Sequence, residues 1–320
     1  MNRSHALAAI VLALGAVGAR ANDIQYFTTV QNTDWTEAGL GGMRGVGTGN
    51  IVLSGVTGTV TQAYLYWHGP TNSTDPLANA NVTFNGSSIT GANIGFSSDN
   101  NWGFQNSQAY RADVTSLVTG SGTYSLSNFL KNSPAGAPVA DINGASLIVF
   151  FQDGNAANNR DVVLFNNNDS NAPNTYDADG WNVSLAGINY TSGSAAVTMT
   201  VSDGQDFADD ALRINGTTVA PAGSVFDGTT VPRSTGGVSN GSLWDVRSFD
   251  ATSFLSPGLN TLSVTTGVNN DYLSLIALAV DLPVGAAPPP PPPIPEPETY
   301  ALMLAGLATL GAVTRRRRKD

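Results

Sequence analysis

The sequence predicts an all-β protein: two tandem jelly-roll-like β-sandwich units, preceded by an N-terminal signal peptide and followed by a short C-terminal transmembrane helix. Three observations carry that prediction. First, Gly, Ser, Thr, Asn and Asp crowd the body of the chain, which holds a single Glu (Glu37) and a single Lys (Lys131), so strong helix formers are scarce. Second, short alternating segments recur between Gly, Asn and Ser clusters, as in sandwich proteins. Third, part of the chain repeats. Asn81 to Ile89 matches Ala211 to Val219 with the apolar residues and the Asn-Gly pair in register, and Asp113-Val114-Thr115-Ser116-Leu117 matches Asp250-Ala251-Thr252-Ser253-Phe254.

The chain opens with Arg3, an apolar segment from Ala6 to Val17 and the small-residue site Ala19-Arg20-Ala21. This is the pattern of a secretory signal peptide, residues 1–21, and it makes the Sec machinery and signal peptidase expected partners. The mature chain then begins near Asn22. Strands are expected at Asn50 to Leu53, Val60 to Trp67, Asn81 to Phe84, Thr123 to Ser127, Ala145 to Phe151, Val162 to Phe165, Val197 to Val201, Leu212 to Ile214, Thr261 to Thr265 and Tyr272 to Val280. Runs such as Leu147 to Phe151 and Leu273 to Val280 are apolar on both faces and read as central strands. Asn85-Gly86 and Asn215-Gly216 are hairpin turn signals. Asp113 and Asp250 read as caps of a single helical turn whose apolar residues plug the end of a sandwich. Placing the copies side by side gives unit 1 at 22–170 and unit 2 at 171–283, followed by a Pro-rich linker at 284–293. This order of strands, turns and plugs resembles the jelly rolls of galactose-binding-like domains, and that resemblance implies a structural role for the plug.

Charge and composition narrow the chemistry. Of the 14 basic residues 7 lie in the body, against 21 of the 24 acidic ones, a net charge there of about −14. Such a surface repels phosphate backbones, so nucleic acid is excluded as a partner. Cysteine is absent, which removes disulfides, thiolate catalysis and Cys-ligated zinc. After loss of the signal peptide His68 is the one remaining histidine. Gly237-Val238-Ser239-Asn240-Gly241 matches a nucleophile pattern, but in a turn-rich stretch without a following helix. No catalytic residue is assigned, and the body is expected not to be an enzyme. The expected cofactor is none, with Ca²⁺ as the metal its loops would suit: Asp169, Asp177 and Asp179 flank an Asn-rich loop, and Asp203, Asp206, Asp209 and Asp210 cluster after a strand. The five Trp residues read as core, with sugar stacking as the alternative.

The end of the chain has three parts. Pro295-Glu296-Pro297 follows the prolines; an uncharged run from Tyr300 to Val313 spans about 20 Å as a helix, short for a bilayer; and Arg315, Arg316, Arg317 and Arg318 with Lys319 close the chain. Basic residues beside an apolar helix mark the cytoplasmic side, so the body lies outside. This three-part ending, residues 294–320, resembles the PEP-CTERM sorting signal of exopolysaccharide-producing Gram-negative bacteria. The resemblance implies that an exosortase recognises the Pro-Glu-Pro region, removes helix and basic tail, and leaves the body on the cell surface or in an extracellular, biofilm-type matrix where exopolysaccharide is a candidate partner. The expected role is therefore that of a processed structural protein. The alternatives are a carbohydrate-binding adhesin and a secreted glycan-active hydrolase.

Overall fold

The structure, a computed structural model, describes residues 23–97, 104–131, 140–172, 174, 180–234, 240–267 and 271–290. The signal peptide, the Pro-Glu-Pro motif, the apolar run and the basic tail lie outside these residues. Among the described residues the structure is all-β, with only two three-residue 3-10 turns, and no helix is long and apolar enough to cross a membrane. In chain order the first strands are β1 (Gln25–Leu40), β2 (Gly49–Leu53), β3 (Thr59–Thr71), β4 (Asn81–Phe84), β5 (Ser87–Thr90), β6 (Ala92–Ser97), β7 (Asn106–Asp113), β8 (Gly122–Ser127) and β9 (Gly144–Gln152). They are followed by β10 (Arg160–Ser170), β11 (Asn182–Tyr190), β12 (Ala196–Ser202), β13 (Leu212–Ile214), β14 (Thr217–Ala220), β15 (Trp244–Asp250), β16 (Gly258–Thr265) and β17 (Ser274–Pro283).

These strands form one nine-stranded ladder, β15-β12-β17-β10-β1-β9-β3-β7-β6, and two four-stranded sheets, β11-β16-β13-β14 and β2-β8-β4-β5. The sequence repeat extends to this topology. The order β1-β9-β3-β7 on one side of the ladder has its counterpart in β10-β17-β12-β15 on the other, and the two small sheets correspond strand for strand. The hairpins carry the repeat in detail: Asn85 and Gly86 have φ of 48° and 80°, Asn215 and Gly216 have 47° and 76°. Both turns therefore hold two left-handed residues, the twist that suits a two-residue hairpin. The turns at Thr115–Leu117 and Thr252–Phe254 also correspond. Asp113 and Asp250 do not occupy the N-cap position, which falls on Val114 and Ala251; each Asp instead accepts the backbone N–H two residues on, at 2.9 Å. The apolar plug consists of Val114 and Val118 in one copy and Ala251 and Leu255 in the other, all buried.

Three cores follow from period-two alternation. One lies between β2-β8-β4-β5 and the β1-β9-β3-β7 side of the ladder, around Trp67, Phe84, Leu147 and Val149. The second lies between β11-β16-β13-β14 and the other side, around Val197, Met199, Val201, Leu262 and Leu278. The third gathers residues from the opposite faces of the same ladder strands: Tyr66, Ile148 and Phe150 with Val162, Leu164, Trp244 and Ile276. β9 and β17 thus bury both faces, as their unbroken apolar runs predict.

The third core requires the ladder to fold back on itself. Five steps separate β3 from β12, about 24 Å in a flat sheet at roughly 4.8 Å per strand, yet the His68 and Ser202 side chains on those strands meet at 2.6 Å. The fold runs along β1, whose first part pairs with β10 and whose second part pairs with β9. The change of partner coincides with a register break between Val30 and Thr33 and with Asn32 at φ 51°, a bulge that bends and twists a strand. Asp161 accepts the Asn32 N–H and Asn159 donates to the Asn32 carbonyl, which fixes the bend. The described residues up to Pro288 form one compact unit.

Candidate functional site

The polar chemistry of the body collects in the seam where the two halves of the ladder meet. On β12, the faces alternate: Val197, Met199 and Val201 enter the core beneath the small sheet, and Thr198, Thr200 and Ser202 point into the seam. β3 contributes Tyr66 and His68 in the same way. His68 Nδ1 meets Ser202 Oγ, and Asn143 Nδ2 donates to that same Oγ at 3.1 Å. Asn143 Oδ1 accepts from Arg44 Nε and Nη2 at 3.1 and 2.6 Å, and Arg44 Nη2 pairs with Asp203 Oδ1 at 2.8 Å. One chain of contacts thus runs from His68 to Asp203 across both halves. Further along, Asn166 donates to Tyr66 Oη, Trp244 Nε1 to Ser146 Oγ at 2.9 Å, and Thr200 Oγ1 to Glu37 at 2.6 Å.

Burial sets the protonation of these groups. His68, only 2% exposed, is pushed down to about 3, first by desolvation and then by the Arg44 charge. It is neutral at any pH near 7, and as a base it is weak. Desolvation raises Glu37 to about 7, against the pull of its bonds with Thr200 and Ser146. Asp203 is also raised by desolvation, with Arg44 holding it back. A His–Ser contact of 2.6 Å resembles a catalytic dyad in outline, but Ser202 is fully buried and the imidazole lacks the basicity to take its proton. The contact joins the two halves of the fold. His68 lies inside β3, paired with Ala109 and Gly144. Ser239 of the nucleophile pattern lies outside the described residues.

Among the described residues, the carboxylates expected to ligate calcium are each engaged by their own partners. Asp169, buried on β10, accepts the Ile24 N–H at 3.0 Å, and Asp177 and Asp179 lie outside the described residues. Asp203 pairs with Arg44, Asp206 accepts from Ser224 at an exposed loop, and Asp210 accepts the Ala211 N–H. Asp209 is buried and accepts the N–H groups of Val225 and Phe226, both at 2.7 Å. Among the described residues no three His, Asp or Glu side chains converge as a metal site. Of the Trp residues, Trp67, Trp181 and Trp244 are fully buried, and Trp35 keeps some exposure while donating to Asp281. Arg44, Asn143 and Ser202 escaped sequence reasoning because their partners lie 59 to 159 residues away; the one visible hint was that His68 and Glu37 are unique of their kind in the mature body.

The comparison that bears on function concerns the other end of the chain. Residues 293–319 match the PEP-CTERM protein-sorting motif. The match takes in Pro295, Glu296 and Pro297 together with Arg315 to Arg318, so the sorting motif includes all three parts predicted for residues 294–320. It implies the exosortase as processing partner. No curated protein matches the chain. Among solved structures, one of a recombinant N-glycanase F (PNGase F) is 10% identical, with 81% of this chain and 95% of that chain covered, at a TM-score of 0.28. One of a peptide-N(4)-(N-acetyl-β-D-glucosaminyl) asparagine amidase is 11% identical over 82% and 97%, at a TM-score of 0.23. Scores this low do not establish a shared fold.

Proposed function

We propose that the chain is an exported precursor whose sorting segment is removed by an exosortase, leaving an acidic β body as a non-catalytic structural component of the cell surface or extracellular matrix. The observation that carries this reading is the sorting motif at residues 293–319. The signal peptide pattern at residues 1–21 supports export from the other end of the chain. The prolines before the motif favour an extended, stiff segment, which would hold the Pro-Glu-Pro residues clear of the body for a membrane peptidase. Before cleavage, the Tyr300 to Val313 run would anchor the precursor in the inner membrane with its basic tail in the cytoplasm.

For the body, we propose two tandem jelly-roll-like units, with the boundary moved from Ser170 to between β9 and β10 so that β1 and β10 hold equivalent places. Their matching strand orders support this, and so do the two cores beneath the small sheets. The buried, neutral state of His68 supports a non-catalytic role. Among the described residues three of the four Trp side chains lie in the cores and are not available to stack on sugar rings, which favours a structural component over an adhesin.

The test is deletion of residues 294–320, beside a variant with Pro295, Glu296 and Pro297 replaced by Ala. Deletion should release the body from its cell association, and the triple replacement should leave uncleaved precursor in the membrane fraction. Normal processing of the triple variant would overturn the assignment of the exosortase site.

A further inference from the structure

Four Asn-Gly pairs occur in the chain: Asn85-Gly86, Asn143-Gly144, Asn215-Gly216 and Asn240-Gly241. Asparagine is chemically labile, most of all before glycine, which has no side chain to obstruct attack by its backbone nitrogen on the carboxamide. The structure separates the four. Asn143 is 1% exposed; its Oδ1 accepts from Arg44 and its Nδ2 donates to Ser202. Asn240 Oδ1 accepts from Gln205 Nε2 at 2.7 Å, and its backbone carbonyl accepts the Asp206 N–H at 2.9 Å. Asn215 Oδ1 accepts the Ser263 N–H at 2.7 Å, and its Nδ2 donates to the Thr261 carbonyl at 3.2 Å. Asn85 has the same backbone as Asn215: φ is 48° against 47°, and its N–H donates to the Ser125 carbonyl as that of Asn215 does to Ser263. Its side chain differs, being exposed and without a hydrogen bond among the described residues.

We infer that Asn85 is a self-modification site, an asparagine that converts to aspartate and isoaspartate in the folded protein while the other three Asn-Gly pairs stay intact. The Gly86 nitrogen loses its proton to base and attacks Asn85 Cγ. A bond forms between that nitrogen and Cγ, the Cγ–Nδ2 bond breaks, and ammonia leaves. Water then adds to one carbonyl of the cyclic imide. Opening on one side gives aspartate, and on the other isoaspartate, in which the main chain runs through Cβ and Cγ. One water is consumed per ammonia released, with no oxidation or reduction. The Asn85–Gly86 peptide has to turn over for the attack, which takes a type I′ turn towards type II′. Both types keep φ positive at the first central residue, and a Cβ on Gly86 would meet nothing within 4 Å. The free carboxamide of Asn85 can swing onto the nitrogen directly. That of Asn215 must first give up its bonds to Ser263 and Thr261, which slows closure by roughly tenfold or more. Each event adds a carboxylate to a body already at about −14.

The test is incubation of the purified full chain at pH 8, with samples mapped by mass spectrometry of peptides and isoaspartate counted by enzymatic methylation. A parallel sample is kept unfolded in urea. In the folded chain Asn85 should convert at least about tenfold faster than Asn143, Asn215 or Asn240, and in urea the four should convert at similar rates, since the tethers are gone. An Asn85→Gln variant should abolish the early isoaspartate signal. Equal rates at Asn85 and Asn215 in the folded chain would overturn the inference. A preference for Asn85 that persists undiminished in urea would overturn it too, because the selectivity would then lie in the neighbouring sequence and not in the fold.

Discussion

Replacing Arg44 by Met tests whether the seam is held by its buried charge. Arg44 and Asp203 have side chains only 9% and 13% exposed, in contact at 2.8 Å, and the same guanidinium supplies two donors to Asn143 Oδ1. Removing one partner of a buried pair costs about 3–5 kcal/mol, because the remaining charge is left uncompensated. The orphaned amide oxygen adds about 1 kcal/mol. Against a typical domain stability of about 5–15 kcal/mol, a loss of that size is large. The cost is also pH-dependent. Asp203 is already raised above its unfolded 3.8 by desolvation, and Arg44 is the group that holds it down. Without Arg44 it rises further, so the penalty is absent below 3.8 and grows as pH climbs through the folded value. Urea unfolding of the full chain should therefore give a smaller loss at pH 5 than at pH 8. The double variant Arg44→Met/Asp203→Asn should recover most of the loss. Asn tolerates the φ of 70° at position 203, and the pair is then neutral. The reasoning fails if Arg44→Met costs less than about 1 kcal/mol at pH 8, if the loss is the same at both pH values, or if the double variant is no more stable than the single.

Other perturbations report on the same seam. Glu37→Gln keeps an acceptor for Thr200 while removing a group raised from 4.5 to about 7; the variant should gain stability relative to wild type as pH rises from 4.5 to 7, and parallel melting curves across that range would contradict the burial argument. His68→Gln works in the opposite direction. With a folded value of about 3 against 6.5, His68 costs stability as pH falls from 6.5 to 3, and the variant should flatten that acid limb in melting temperature. Gly69→Ala drives a Cβ into the Asp141 carbonyl oxygen, a backbone clash that should lower stability by about 1–3 kcal/mol or more; an unchanged melting temperature would show that β3 and the segment before β9 are not held this closely.

Much of this architecture is legible from local pattern. The Asn-Gly turns predict both hairpins because only those residues accept two successive left-handed conformations cheaply, and the apolar runs predict β9 and β17 because strands buried on both faces carry no alternation. β1 escapes such a reading. Its Thr33, Asp34 and Glu37 look like surface residues, yet Thr33 and Asp34 are buried and Glu37 is bonded across the seam. Thr33 and Asp34 meet Phe151 and Asp153 at the end of β9, and Glu37 meets Thr200 of the other half, all more than a hundred residues away. The seam was hidden for the same reason. Ser202 and Thr200 occupy the polar positions of an ordinary alternating strand, and only the fold-back along β1 brings them to His68 and Glu37. The sorting segment, by contrast, was fully legible, since its chemistry lies in consecutive residues and needs no tertiary contact.

The most direct test of the account is the intact mass of the protein recovered from the cell surface or surrounding matrix. The account predicts a chain that begins near Asn22 and ends before the Tyr300 to Val313 run, without Arg315 to Arg318. A surface-exposed protein that still carries the arginine-rich end would contradict it.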